Sequence, residues 1–151
     1  RRLSSAASDV YKRQSNYLCT IVKLYVYQRK KENVLMTKSI KKPWGSYVVL
    51  NKSKDFLIKK IIVKPEGVLS YQSHNFRSEH WIIIEGKATV IINNRTFYKS
   101  ENENIFIPKK SKHRVLNESS KKKLVLIEVQ TGSKFLETDI KRYSDIYGRK
   151  N

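Results

Sequence analysis

Gln72-Ser73-His74-Asn75-Phe76-Arg77-Ser78-Glu79-His80-Trp81-Ile82-Ile83-Ile84-Glu85-Gly86-Lys87-Ala88-Thr89-Val90-Ile91-Ile92-Asn93-Asn94 is the stretch on which the reading of this chain turns. Its apolar runs, 80–84 and 88–92, are too short and too rich in Ile and Val for helices, and suit half-buried strands. Gly86-Lys87 and Asn93-Asn94 separate adjacent runs, where hairpin turns belong. Outward from this stretch, runs of similar size fall at 46–50, 56–63, 68–72, 96–98, 104–107, 114–116 and 124–129. Pro65-Glu66-Gly67 and Pro108-Lys109-Lys110 mark further turns between them. This cadence predicts an all-β sandwich or barrel. Helical spacing emerges only over 137–147, where Ile140, Tyr143 and Ile146 would line one side of a short C-terminal helix.

Composition narrows the class. The chain has 151 residues, 39% hydrophobic and 11% aromatic, enough for one domain with a packed core. Lys and Arg number 32 against 13 acidic residues, a net charge of +19. Most of the basic residues are Lys (23, against 9 Arg) and they flank nearly every strand and turn. A nucleic-acid binder instead concentrates charge on one face and uses Arg for bidentate contacts. The five glycines are scattered, which excludes a phosphate-cradling glycine-rich loop. Cys19 is the single cysteine, so neither a disulfide framework nor a multi-cysteine metal site can form within the chain. The apolar run 18–27 is broken by Lys23 and is too short to cross a bilayer. The expectation is a cytoplasmic domain that binds neither membrane nor nucleic acid.

The front end reads differently from the rest. The chain opens on Arg1, and its one methionine is Met36. The run Ser4-Ser5-Ala6-Ala7-Ser8-Asp9-Val10-Tyr11-Lys12-Arg13-Gln14 resembles translated adapter sequence. Residues 1–35 are therefore expected to be a non-native or disordered extension, and 36–151 the domain. The competing reading is a basic arm with a strand at 18–27.

All three histidines, His74, His80 and His113, lie in two motifs. Gln72 and His74 are two residues apart and point to one face of a strand. Glu79 follows at the start of the next strand, and His113 stands just after the turn led by Pro108. Two imidazoles, a carboxylate and an amide oxygen form a nitrogen and oxygen set suited to zinc or another first-row divalent metal. The proposed ligands are Gln72, His74, Glu79 and His113.

Gln72-x-His74-x4-Glu79-x6-Gly86 and Pro108-x4-His113-x3-Asn117 resemble the two cupin motifs, with Gln72 in place of the first histidine. That resemblance implies a double-stranded β-helix, the jelly-roll barrel. A narrower likeness rests on Lys42-Pro43-Trp44-Gly45-Ser46-Tyr47, Leu69-Ser70-Tyr71-Gln72, Arg77-Ser78-Glu79-His80-Trp81, His113-Arg114 and Ile127-Glu128-Val129-Gln130-Thr131-Gly132. With Asp145-Ile146-Tyr147-Gly148-Arg149 they are similar to the cupin domain of type II phosphomannose isomerases. That domain commonly forms the C-terminal part of bifunctional mannose-1-phosphate guanylyltransferase/mannose-6-phosphate isomerase. Lys110 departs from the pattern, standing where the second motif has glycine. Ser73 and Asn75 depart too, at positions that often carry histidine.

The resemblance implies metal-dependent interconversion of mannose 6-phosphate and fructose 6-phosphate, feeding GDP-mannose and polysaccharide biosynthesis. Arg77 is the expected partner of the substrate anion, because a guanidinium pairs bidentately with phosphate. For the proton-moving group the sequence leaves His80, Glu128 and Lys60 open beside Arg77. His80 follows Glu79 and so faces the other side of a regular strand, whereas Glu128 and Gln130 share a face opposite Val125, Ile127 and Val129. Lys112 and Gln130 are the further expected substrate contacts. Trp44 and Trp81 read as packing residues. The resemblance also implies pairing into a homodimer and a guanylyltransferase partner, fused or separate. A non-catalytic sugar-phosphate or nucleotide-sugar binding cupin, or a fragment of the bifunctional enzyme, is the alternative.

Overall fold

The computed structural model describes residues 38–149. The expected extension over 1–35 and the alternative strand at 18–27 lie outside the described residues. The described chain is almost wholly β, with eleven strands in two sheets. They are β1 (Ile40–Lys42), β2 (Gly45–Lys52), β3 (Phe56–Val63), β4 (Tyr71–His74), β5 (Arg77–Glu85), β6 (Ala88–Ile92), β7 (Arg95–Lys99), β8 (Asn104–Ile107), β9 (His113–Leu116), β10 (Leu124–Gly132) and β11 (Ile140–Ser144). One sheet runs β1-β2-β3-β10-β5-β8 and the other β11-β4-β9-β6-β7. The all-β expectation holds, and the run 56–63 is β3 itself.

Alternation along the strands builds the interior. Leu57, Ile61 and Val63 of β3, Trp81 and Ile83 of β5 and Leu124 and Leu126 of β10 are buried from one sheet. Ala88 and Val90 of β6 and Val115 of β9 are buried from the other. Trp44 packs into the same cluster, as expected of it. The inward positions nearest the ends of β4, β5, β9 and β10 are polar instead of apolar, and they form the site. Asn117 closes the end of β9: its amide donates to the carbonyls of Val63, Lys64 and Lys122.

Three expectations need correction. Gly86-Lys87 is not a hairpin turn, because β5 and β6 lie in different sheets and the connection switches between them. Gly86 turns that corner with φ of +88°, and a Cβ there would sit 2.9 Å from the Lys123 carbonyl oxygen. The run 68–72 begins as a strand only at Tyr71, with Val68 making one isolated bridge to Leu116. The C-terminal helix is absent: 137–139 form one 3-10 turn and Ile140–Ser144 form β11. Of its supposed apolar stripe, Tyr143 and Ile146 are exposed. The free edge of β4 supplies the stronger demand. Its backbone groups pair with β11 through Ile140↔His74, Lys141↔Ser73 and Arg142↔Gln72, and an unpaired edge there would leave a row of backbone donors and acceptors open.

Asn93-Asn94 does close a hairpin, with φ of 46° and 65° and β6 paired to β7 from Ile92↔Arg95. Both residues adopt the left-handed conformation that a two-residue type I′ turn requires. Lys110 adopts φ of 66° as well, and its amide donates to the His74 carbonyl at 2.7 Å. The turn thus keeps a backbone shape that glycine suits while carrying a Cβ that disfavours it, at a cost of about 1 kcal/mol. Lys110→Gly is expected to raise unfolding stability by up to about 1 kcal/mol, read as a higher midpoint in urea. A lower midpoint would mean that the lysine side chain contributes more than its backbone strain removes.

Candidate metal centre

The register of the strands decides which polar side chains meet. Across β3, β10 and β5, Lys59, Glu128 and Trp81 stand in one row, and Leu57, Gln130 and Glu79 in another. On the facing sheet Gln72 of β4 pairs directly with His113 of β9. His74 ends β4, and the short link to β5 brings Arg77 and Glu79 back toward it. Period-two alternation then turns Gln72, His74, Arg77, Glu79, His113, Glu128 and Gln130 inward.

His74, Glu79 and His113 form a buried cluster whose potential ligand atoms all lie within 4.8 Å of one another. His74 Nε2 is 3.1 Å from Glu79 Oε1, and His113 Nε2 is 3.5 Å from Glu79 Oε2. The Nδ1–H of His113 has the Ser111 carbonyl 2.9 Å away. With the proton held there, Nε2 presents its lone pair to the cluster, the arrangement that metal-binding imidazoles use. That Nε2 is buried and has no hydrogen-bond partner. An orphaned buried acceptor beside a second imidazole and a carboxylate fits a divalent metal. Gln72 lines the same cavity as Glu79, and its Oε1 accepts a hydrogen bond from Ser70 Oγ at 2.8 Å.

Glu79 is the most heavily bonded group. Its Oε1 accepts from Arg77 Nε at 3.3 Å and Gln130 Nε2 at 3.2 Å, and its Oε2 from Trp81 Nε1 at 3.1 Å. Burial alone would raise its pKa, but the interactions with the neighbouring His113 and His74 rings outweigh it, and the carboxyl lies well below the usual range. Burial lowers His74, partly countered by Glu79, which favours the neutral imidazole that a metal needs.

Glu128 stands beside this group. Trp81 Nε1 and Gln130 Nε2 each bridge it to Glu79, reaching Glu128 at 3.2 and 2.7 Å. Burial and the Glu79 charge push the Glu128 carboxyl up to about 7, while Lys59, 3.9 Å away, opposes them. Two buried carboxyls held apart in acidity by their surroundings is an arrangement suited to proton transfer.

The remaining expected residues separate. Arg77 is 3% exposed and donates to the Leu136 carbonyl and Asp139 as well as to Glu79, with Nη2 3.3 Å from His74 Nε2. Its guanidinium is committed to holding the triad. His80 points to the outer face of β5, where its ring lies 4.6 Å from that of Phe106, so strand alternation keeps it away from the cavity. Lys60 is exposed on the outer face of β3. Lys112 is exposed, over the Tyr143 ring at 4.4 Å. The geometry brings neither lysine to the cavity. It brings Lys59, one residue from Lys60, together with Lys42, Arg142 and Arg149. Lys59 was legible: it is in phase with Leu57, Ile61 and Val63, all buried. Trp81 packs as expected, yet its indole N–H also ties the two carboxyls together.

The comparisons with known proteins come down on one family. Residues 29–145 match the family described as Mannose-6-phosphate isomerase C-terminal. The chain belongs to that family. It is 46% identical over 110 residues to the alginate biosynthesis protein AlgA of Pseudomonas syringae pv. tomato, covering 73% of this chain and 23% of that protein. It is 41% identical over 112 residues to the xanthan biosynthesis protein XanB of Xanthomonas campestris pv. campestris, covering 74% and 24%. The mannose-1-phosphate guanylyltransferase ManC of Salmonella typhimurium is 40% identical over 114 residues, covering 76% and 24%. The chain thus spans about a quarter of the length of these relatives. Among solved structures, the capsular polysaccharide assembling protein CapF of Staphylococcus aureus superposes with a TM-score of 0.63 at 19% identity, covering 70% of this chain and 34% of that one. An RmlC-like cupin from Shewanella frigidimarina gives 0.58 at 15% identity, covering 66% and 86%. These likenesses bear out the cupin fold. No helix among the described residues is long and apolar enough to cross a membrane.

Zinc, manganese or cobalt added to metal-free protein is expected to raise its melting temperature, as any ligand of the folded state does. His74→Ala and His113→Ala should abolish the rise and the bound metal measured by elemental analysis. No rise and no bound metal with any of the three ions would dismiss the centre. Arg77→Met should lower stability by about 3–5 kcal/mol, because it strands Glu79 and Asp139 without their buried cation; urea unfolding measures this.

Proposed function

We propose that the domain is a metal-dependent aldose–ketose isomerase acting on mannose 6-phosphate and fructose 6-phosphate. The observation that carries this reading is the placement of Glu128 beside Glu79 of the His74, Glu79 and His113 cluster, with both carboxyls lining one cavity, in a chain of the mannose-6-phosphate isomerase C-terminal family. We assign Gln72, His74, Glu79 and His113 as the residues that hold the ion, with zinc the first candidate among first-row divalent metals. When bound, such an ion polarises the sugar oxygens at C1 and C2 and stabilises negative charge on them.

The protein's own part is to move a proton between adjacent carbons. Glu128 takes that role in preference to His80 and Lys60. It is buried at the cavity, and Gln130 and Trp81 fix its carboxyl. One oxygen of Glu128 accepts the proton from C2 of the aldose and returns it to C1, while the C2 hydroxyl proton passes to the oxygen on C1, so that atoms and charge balance within the substrate as the ketose forms. Arg77 acts through Glu79 and His74 as a positioning residue. Gln130 orients Glu128 and Glu79 and borders the substrate.

The names of the relatives, alginate and xanthan biosynthesis and mannose-1-phosphate guanylyltransferase, support a place in the supply of activated mannose for polysaccharides. In that setting the domain works in the cytoplasm beside a guanylyltransferase, fused or separate. The second reading, a binding module without turnover, draws on the chain's matching only a quarter of those relatives' length.

A coupled assay of mannose 6-phosphate turnover with metal-loaded protein separates the two. Turnover that disappears with chelator and returns with metal is the expected result. Glu128→Gln is expected to lower kcat by about 10²–10⁴-fold while metal content stays at the wild-type level. Substrate binding without turnover in the metal-loaded wild type would establish the module instead.

A further inference from the structure

With Lys112 outside the cavity and Arg77 committed within the protein, the charged end of a ligand seated at the triad needs another partner. Lys42, Lys59 and Arg149 line the same cavity as Glu79, Glu128 and Gln72. They arrive from three separate places: the end of β1, the middle of β3 and the segment after β11. Tyr47 holds two of them, with Lys42 Nζ 5.8 Å and Lys59 Nζ 4.8 Å from its ring centroid. Lys59 is shared with Glu128 at 3.9 Å and Glu137 at 3.7 Å. Among the described residues no carboxylate lies within ion-pair distance of Lys42. Arg149 is pinned by Asp145 through Nε at 2.6 Å and Nη2 at 3.2 Å, which fixes its plane and leaves further guanidinium N–H groups for a second acceptor.

Carboxylates already pair with Lys59 and Arg149, but none among the described residues pairs with Lys42, and an anion seated between the three would offset the repulsion that remains. The donor types suit a phosphate: two point-charge ammonium groups and one forked guanidinium can meet its several oxygens. We propose that Lys42, Lys59 and Arg149 form the seat for the phosphate of a sugar phosphate whose hydroxyl end faces His74, Glu79 and His113. The identity of the sugar rests on the isomerase reading; the seat itself does not. It also gives a role to the terminal segment Asp145-Ile146-Tyr147-Gly148-Arg149. Tyr147 accepts a hydrogen bond from the Val68 amide at 3.4 Å and packs against the core. That anchoring brings Arg149 to the cavity.

Inorganic phosphate titrated into metal-loaded protein, followed by calorimetry, tests the seat directly. Lys42→Gln and Arg149→Gln are each expected to weaken phosphate binding at least tenfold, and Lys42→Arg to restore most of it. In the turnover assay the same neutral variants should raise KM for mannose 6-phosphate at least tenfold while kcat falls less than threefold. Lys42→Arg keeps the comparison open if a neutral variant fails to fold. Unchanged phosphate affinity, or an unchanged KM, in the folded variants overturns the seat. The two readings fail separately. Phosphate binding that depends on these residues in a protein without turnover would leave the seat standing and remove the isomerase; turnover with unaltered KM would do the reverse.

Discussion

The carboxylate of Glu79, 1% exposed on an inward face of β5, is the constraint around which this molecule is arranged. A buried carboxylate is costly unless cations and donors surround it. Here Arg77, Gln130 and Trp81 donate to it and the His74 and His113 rings stand against it, and the five come from four strands of two sheets. Each contact therefore also fixes a strand position. The alternation of β5 that turns Glu79 inward turns Trp81 and Arg77 inward with it, and turns His80 out.

From Glu79 the constraint spreads in two directions. Through Gln130 and Trp81 it reaches Glu128, whose acidity is set by burial and by the Glu79 charge. Through Arg77 it reaches Asp139, which also accepts hydrogen bonds from the amides of Asn75 and Phe76. Asp139 immediately precedes β11, so the link between β4 and β5 and the start of the edge strand are tied to one guanidinium. The chemistry at the centre and the closure of the sheet edge share a single buried ion network. Such networks are costly to leave half satisfied.

How much of this was legible in the chain follows from what each feature depends on. The strands and the Asn93-Asn94 hairpin were readable because they rest on local alternation and turn chemistry. Gln72, His74, Glu79 and His113 were readable as candidate ligands because alternation turns Gln72 and His74 to one face of a strand and the spacing of the two motifs resembles the cupin pattern. The terminal helix was misread because Ile140, Tyr143 and Ile146 satisfy a helical spacing, while the edge of β4 that claims the segment is nearly seventy residues away in sequence. The Gly86 corner was misread for a related reason: a two-residue link looks alike whether the strands pair or part. Lys60 was chosen over Lys59, although the phase of Leu57, Ile61 and Val63 marks Lys59 as inward.

Sequence alone carried the class of the fold, through periodicity and turn signals, and the family likeness and the candidate ligands Gln72, His74, Glu79 and His113, through motifs that resemble those of a known family. Tertiary structure alone decided that Arg77 serves Glu79 and Asp139, that Trp81 and Gln130 join Glu79 to Glu128, and that Lys42, Lys59 and Arg149 share one cavity. These depend on the register between strands far apart in the chain. Register is set by the packing of the whole barrel, and no local pattern encodes it.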